Sequence, residues 1–333
     1  MVGTVARGTP GGFRPGQDNL MEFIPYTAEL EVALSILYPP FFPDHRVSPF
    51  IMSPFTPRDS PLLSFIHAAL HEKNLLQVPH KPDYDNLWAN KYPNCGGLQQ
   101  SPINLDEIER DDTHSVSMRF KDYDVVPDSM KVENKGHTVQ VTPTWYTTIP
   151  AVIKDGVLYE VQQMHFHWGS NNDEGSEHIF EDRKTVLELH IVHWNPELGD
   201  FDGQQGEGIL VVGLLYEIGK DDDDYSNSLF NILNYAFKIE EPKSGPVYIK
   251  PFGLESLFYD NNSTKFLTYI GSLTTPPCSE GVSWVVLNFP STVNDYQMNL
   301  FRSFELDDWD DHNNRPVQKI NGRKLTEVTR TDI

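Results

Sequence analysis

Gln163-Met164-His165-Phe166-His167-Trp168-Gly169 is the stretch from which the rest of this chain can be read. Met164, Phe166 and Trp168 alternate with Gln163, His165 and His167. That is the period-two pattern of a β-strand, whose successive side chains point to opposite faces. Two imidazoles therefore share one face with Gln163, while three large apolar groups face a core. Two histidines on one side of a stiff strand supply most of a catalytic zinc site, which needs three protein ligands and one open position for water. A third histidine occurs 23 residues after His167, in Glu188-Leu189-His190-Ile191-Val192-His193-Trp194. Alternation there puts Glu188, His190 and Val192 on one face and Leu189, Ile191 and His193 on the other. His190 is the candidate third ligand. Glu188 is the candidate carboxylate that orients it, because ligating histidines usually donate their other ring N–H to such a group; Gln163 is its counterpart on the first strand. One such strand alone would read as core histidines with hydrogen-bond partners. The two together favour a metal site, although the bare spacing would also serve copper or iron.

Further motifs narrow the choice. Met164 to Ser170, Gly175-Ser176-Glu177-His178, Glu188 to Trp194 and Gly271-Ser272-Leu273-Thr274-Thr275-Pro276-Pro277-Cys278 occur in that order. The series resembles the α-class carbonic anhydrases, from about Trp88 to about Leu325. The resemblance implies a Zn2+ cofactor on His165, His167 and His190, and reversible hydration of carbon dioxide to bicarbonate and a proton by zinc-bound hydroxide. It implies that Thr274 accepts a hydrogen bond from the hydroxide and donates its own proton to Glu177, and that Thr275 contacts bicarbonate. Val192, Val211, Leu273, Val282 and Trp284 stand where the family lines the CO2 pocket, an apolar wall suited to a small apolar substrate. His137, in Asn134-Lys135-Gly136-His137, matches the family's proton shuttle, a duty for which histidine is suited by titrating near neutral pH. Lys135 replaces a small polar residue common in fast members, Gln140 stands where they often have asparagine, and a cation there would lower the pKa of His137. Sulfonamide and anion inhibitors are expected. Cys95 and Cys278, the only cysteines, fall where extracellular members carry a disulfide; buried free thiols are the alternative. A bridge there would close a loop of roughly 180 residues, a constraint valued at a few kcal/mol.

Composition sets outer bounds. The chain has 333 residues and a net charge of −22, which disfavours nucleic acid or an anionic membrane as the main partner. No apolar run reaches the ~18 residues of a membrane span. Residues 1–80 are a different text, holding 11 of the 25 prolines, too dense for strands. They read as a Pro-rich irregular extension, rich in aromatics, with short helices expected at 28–37 and 60–71. His67 and His71 are spaced i, i+4, but no second histidine follows His71-Glu72 at the HExxH interval, so the zincin pattern is absent. The family's Trp-x-Tyr, whose tyrosine serves the active-site hydrogen-bond network, is replaced by the Leu76 to Pro79 stretch. Residues 1–8 lack the apolar core of a signal peptide, whereas the cysteines and the overlapping sequons at Asn261 and Asn262 point to secretion; a cytoplasmic protein is the alternative.

From 81 to 333 the pattern is one catalytic domain of the resembled type. Strands are expected at 116–120, 130–134, 137–142, 157–168, 185–194, 208–216, 248–250, 266–269 and 283–288, divided by Gly, Pro and Asp turns. Helices are expected at 226–237, after the acidic run 221–224, and at 292–302. The fold class is mostly β (α+β): a large central twisted, mainly antiparallel, carbonic-anhydrase-like sheet with short peripheral helices.

Overall fold

The computed structural model describes residues 84–111, 116–219, 227–258, 264–307 and 310–332. The helices expected at 28–37 and 60–71, the acidic run 221–224 and the acceptors Asn261 and Asn262 lie outside them. Among these residues thirteen strands form one sheet. In chain order they are β1 (Glu109–Arg110), β2 (Met118–Lys121), β3 (Ser129–Asn134), β4 (Val139–Thr144), β5 (Ala151–Lys154), β6 (Val157–Trp168) and β7 (Leu187–Trp194), then β8 (Ile209–Ile218), β9 (Val247–Tyr248), β10 (Lys265–Ser272), β11 (Glu280–Leu287), β12 (Ser291–Val293) and β13 (Lys324–Asp332). Among the described residues three short helices decorate it: α1 (Tyr84–Lys91), α2 (Asn227–Leu233) and α3 (Asp295–Phe301).

Most pairings are antiparallel, with parallel joins of β8 to β11 and β12 and of β13 to β1 and β2. The path β8-β11-β10-β13-β2-β5-β6-β7 returns to β8, because β7 pairs with both β6 and β8. β7 is therefore an interior strand, and all eight of its residues are buried. Its register against β6 sets His165 opposite His190 and His167 opposite Glu188. Met164, Phe166, Trp168, Leu189 and Ile191 enter the larger apolar core, as alternation demands. Val192, Val211, Val282 and Trp284 enter a separate, smaller cluster on the other face, with Leu273 packed against it. Cys95 and Cys278 are joined in a disulfide.

Several expected boundaries move for local reasons. The strand expected from His137 begins at Val139: Gly136 has φ +88, and the Lys135 N–H donates to Thr138 O, so His137 sits in a turn. The strand expected from Thr185 begins at Leu187. The helix expected over 292–302 begins at Asp295, since Ser291–Val293 pairs with β8 and Asn294 closes a capping box with Gln297. α2 ends at Leu233 and a 3-10 turn follows at Ala236–Lys238, so Leu229, Ile232 and Leu233 are buried but Phe237 is 72% exposed. β5 and β13 were not expected at all, although both complete the ring.

Candidate metal centre and active site

Each of the three histidines on the site face is held by one ring nitrogen. His165 Nδ1 donates to Gln163 Oε1 at 3.0 Å, two residues back on the same face of β6. His167 Nδ1 donates to the backbone oxygen of Asn313 at 3.0 Å. His190 Nε2 donates to Glu188 Oε1 at 2.7 Å. The nitrogens left over are His165 Nε2, His167 Nε2 and His190 Nδ1. The three residues can each offer one ligand atom, all within 4.8 Å of one another. His167 Nε2 is buried and makes no hydrogen bond. A buried polar atom without a partner is costly, and a metal ion coordinated by all three rings would satisfy it. Three neutral nitrogens and a held tautomer on each ring suit a tetrahedral zinc site with a fourth position open.

The electrostatics agree with that reading. Burial, joined by repulsion from His167 and His190, holds the pKa of His165 well below its ordinary value. Burial brings His167 down to about 4 and also lowers His190. All three rings are therefore neutral at pH 7 and keep a lone pair to donate. Burial would push Glu188 up, but His178 and His190 outweigh it and hold the carboxyl well below the usual range. Glu188 remains an anion with four donors: His178 Nδ1 (2.7 Å) and His190 Nε2 on Oε1, and the backbone N–H groups of Glu177 (2.8 Å) and His178 (2.9 Å) on Oε2. A second histidine–carboxylate group, His178, Glu188 and His190, is accounted for by these bonds, because His178 Nε2 also bonds Tyr269 Oη at 2.7 Å.

Glu177 is buried beside the same rings, with Oε1 3.4 Å from His167 Nδ1 and Oε2 3.9 Å from His190 Nδ1. Burial raises its pKa, against which His190, the Arg315 N–H and the Thr274 hydroxyl all pull downward. The Arg315 bond is 2.8 Å. Oε2 makes no hydrogen bond of ordinary geometry, although Thr274 is near enough to act on the carboxyl. Thr274 is itself buried, and Thr275 lines a cavity of about 170 Å³ together with His137. His137 is open to solvent on one side and walled on the other. The desolvation lowers its pKa, Asp307 raises it, and Lys135 and Lys243 lower it further. A side chain at Gly136 would meet Asp307 Oδ2 at 2.4 Å, so the glycine admits that carboxylate to the cavity.

Three contributors were not assigned roles from sequence. Asn313 accepts from His167, its Oδ1 accepts from Trp168 N at 2.8 Å, and its Nδ2 donates to Phe166 O at 2.8 Å and His137 O at 3.0 Å. His178 and Tyr269 anchor Glu188 from the far side. Asn313 lies 146 residues from His167 in a polar stretch with no periodic signal.

The β-ring carries three converging imidazoles, one of them held by a carboxylate, an arrangement able to hold a metal ion. The chain matches the family described as eukaryotic-type carbonic anhydrase over residues 81–329. It is 33% identical over 251 residues to carbonic anhydrase 6 of Canis lupus familiaris, covering 71% of this chain and 74% of that one. It is 35% identical over 255 residues to carbonic anhydrase 7 of Mus musculus, covering 72% and 92%. The chain belongs to the carbonic anhydrase family and is a carbonate dehydratase. Among the described residues no helix is long and apolar enough to cross a membrane.

Proposed function

We propose that this chain hydrates CO2 reversibly to bicarbonate and a proton at a zinc ion held by His165, His167 and His190, with His137 passing the proton to solvent. The observation that carries the reading is the convergence of three lone-pair nitrogens, one of them buried without a partner. When bound, zinc acts as a Lewis acid that brings a water's pKa to about 7, a figure known from carbonic anhydrases themselves.

The residues do the rest. Gln163, Glu188 and the Asn313 carbonyl hold the rings in the ligating tautomer. Glu177 draws the Thr274 proton toward itself, which leaves the Thr274 oxygen to accept from a water at the site and so to aim that water's lone pair. Val192, Val211, Leu273, Val282 and Trp284 provide a dry wall for CO2. Thr275 meets bicarbonate on the cavity side. His137 takes up the proton at the rim, at a pKa that Lys135 and Lys243 depress and Asp307 supports.

The catalytic domain spans 81–333 and follows an extension over 1–80. The buried disulfide supports an oxidising, extracellular setting, in which Asn261 and Asn262 are glycan acceptors; intact mass before and after glycosidase tests that. Stopped-flow CO2 hydration, run with a zinc assay and a sulfonamide, tests the main reading. About one zinc per chain and sulfonamide-sensitive hydration are expected. Bound zinc without hydration would overturn the catalytic assignment, and no zinc would overturn the ligand set.

A further inference from the structure

Three consecutive residues each touch a different part of the site. Asn313 O accepts from His167 Nδ1, the Asn314 amide donates to Ser176 O at 3.3 Å, and the Arg315 N–H donates to Glu177 Oε1 at 2.8 Å. Asn313 is fixed against β6 by its own side chain, through Trp168 N and Phe166 O. Arg315 is fixed elsewhere, and it is buried. Its Nη1 donates to Gln100 Oε1 and to Ser101 O, both at 2.9 Å, and its Nη2 donates to Cys95 O at 3.3 Å. The guanidinium carbon lies 5.5 Å from the centre of the Trp88 ring. Cys95 is in turn bridged to Cys278, three residues beyond Thr275. The guanidinium thus ties this stretch to residues 95–101 and, through the disulfide, to the loop that carries Thr274.

Burying a cation is costly unless its donors are met. A planar fork meets acceptors on three residues at once, which a point-charge ammonium does not. A position that served packing alone could carry an apolar side chain without that desolvation cost. What the arrangement delivers to the site is the place of one backbone N–H. With Glu177 Oε1 committed to that N–H, Oε2 is the oxygen left to act on the Thr274 hydroxyl. We infer that Arg315 is a positioning residue of the active site: its side chain, held by Cys95, Gln100 and Ser101, sets the N–H that turns Glu177 toward Thr274. The inference rests on the hydration reading above, and within it on the Thr274–Glu177 pair.

The test sets turnover against the binding of azide, an anion that brings no proton. While Thr274 turns its proton to Glu177, its oxygen can only accept, and azide finds no donor there. If Glu177 turns away, the Thr274 proton becomes available to azide. Four zinc-loaded full chains are compared by stopped-flow hydration, azide calorimetry and chelator competition: the parent, Glu177→Gln, Arg315→Met and Arg315→Lys. In Glu177→Gln the amide oxygen keeps the Arg315 N–H and the amide NH2 faces Thr274, so hydration should fall while azide binds more tightly. Arg315→Met should do the same, with hydration down about tenfold and azide tighter by about three- to tenfold, the worth of one hydrogen bond. Zinc affinity should stay parental, because Asn313 has its own ties to β6. Arg315→Lys should shift both readouts the same way by less; it decides the matter if Arg315→Met does not fold. Arg315 variants at parental values, with Glu177→Gln altered, overturn the inference and leave the Glu177 reading intact. Azide, hydration and zinc affinity all weakened together would mark a merely structural anchor and overturn it too. Glu177→Gln at parental values overturns the Thr274–Glu177 reading, and the inference with it.

Discussion

His190 and His193 sit three residues apart on β7, both buried, and they are opposite kinds of histidine. His193 faces the large core, where Tyr123 Oη meets Nε2 at 2.5 Å and Leu210 O accepts from Nδ1 at 3.2 Å. Both nitrogens are used, and the ring is finished. On the other face, His190 spends one nitrogen on Glu188 and aims the other at His165 and His167. Burial lowers the pKa of each. A depressed pKa therefore does not separate a candidate ligand from a core histidine; the count of satisfied ring nitrogens does.

Substitutions can break that comparison or sharpen it. The largest effect should come from His167→Ala, which removes the ring whose Nε2 has no protein partner: bound zinc and CO2 hydration should both fall to background. Full zinc occupancy by atomic absorption would show that the leftover nitrogens are not ligands. Next is the acid limb of stability. His193 is lowered to about 4, below an unfolded value near 6.5, so the unfolded chain binds the proton more readily. Its contribution is fully present above about pH 6.5 and is lost as pH falls through about 4, on the order of 3 kcal/mol. Urea midpoints of the zinc-free protein across that window should fall, and His193→Gln should flatten the fall; an unchanged slope would remove His193 from the account.

Glu188→Gln should come third. It keeps the shape but loses the anion that holds His190 and His178, and zinc affinity should drop about 10- to 100-fold in competition with a chelator. Wild-type affinity would mean the register of β6 and β7 alone orients the ring. The smallest effect belongs to the rim. Lys135→Ala should raise the His137 midpoint, because a neighbouring cation that opposes protonation is gone. A midpoint that stays put, read by ring NMR, would place the lysine's charge out of reach.

The shared face of the three histidines was legible because a strand's period is two. Once His165 and His167 were seen to alternate with Met164 and Phe166, their common face followed, and the same rule separated His190 from His193. Of the residues grouped by resemblance, Val192, Val211, Val282 and Trp284 do gather in one buried cluster, with Leu273 packed against it. What sequence could not supply was contact across long separations. Asn313 acts through a backbone oxygen and a side-chain amide, neither of which leaves a pattern. The turn that carries His137 was missed because the left-handed Gly136 and the Lys135–Thr138 bond break the strand two residues later than its apolar alternation suggests. β13 alternates mostly small and charged residues, too weak a signal to name until its partners β2 and β10 are known.

The placement of β13 has a consequence for synthesis. Lys324–Asp332 lies between β10 and β2 in the ring, yet it is the last strand in chain order. The ring cannot close until those residues have left the ribosome, however early the two histidine-bearing strands emerge. During that interval β2 and β10 present unpaired edges, the exposed templates on which growing chains stick to one another. The histidine-bearing strands, which come near the middle of the chain, must therefore wait in an open ring for a closing strand synthesised more than a hundred residues later, and this protein's yield in the cell should depend on whatever shields those edges meanwhile.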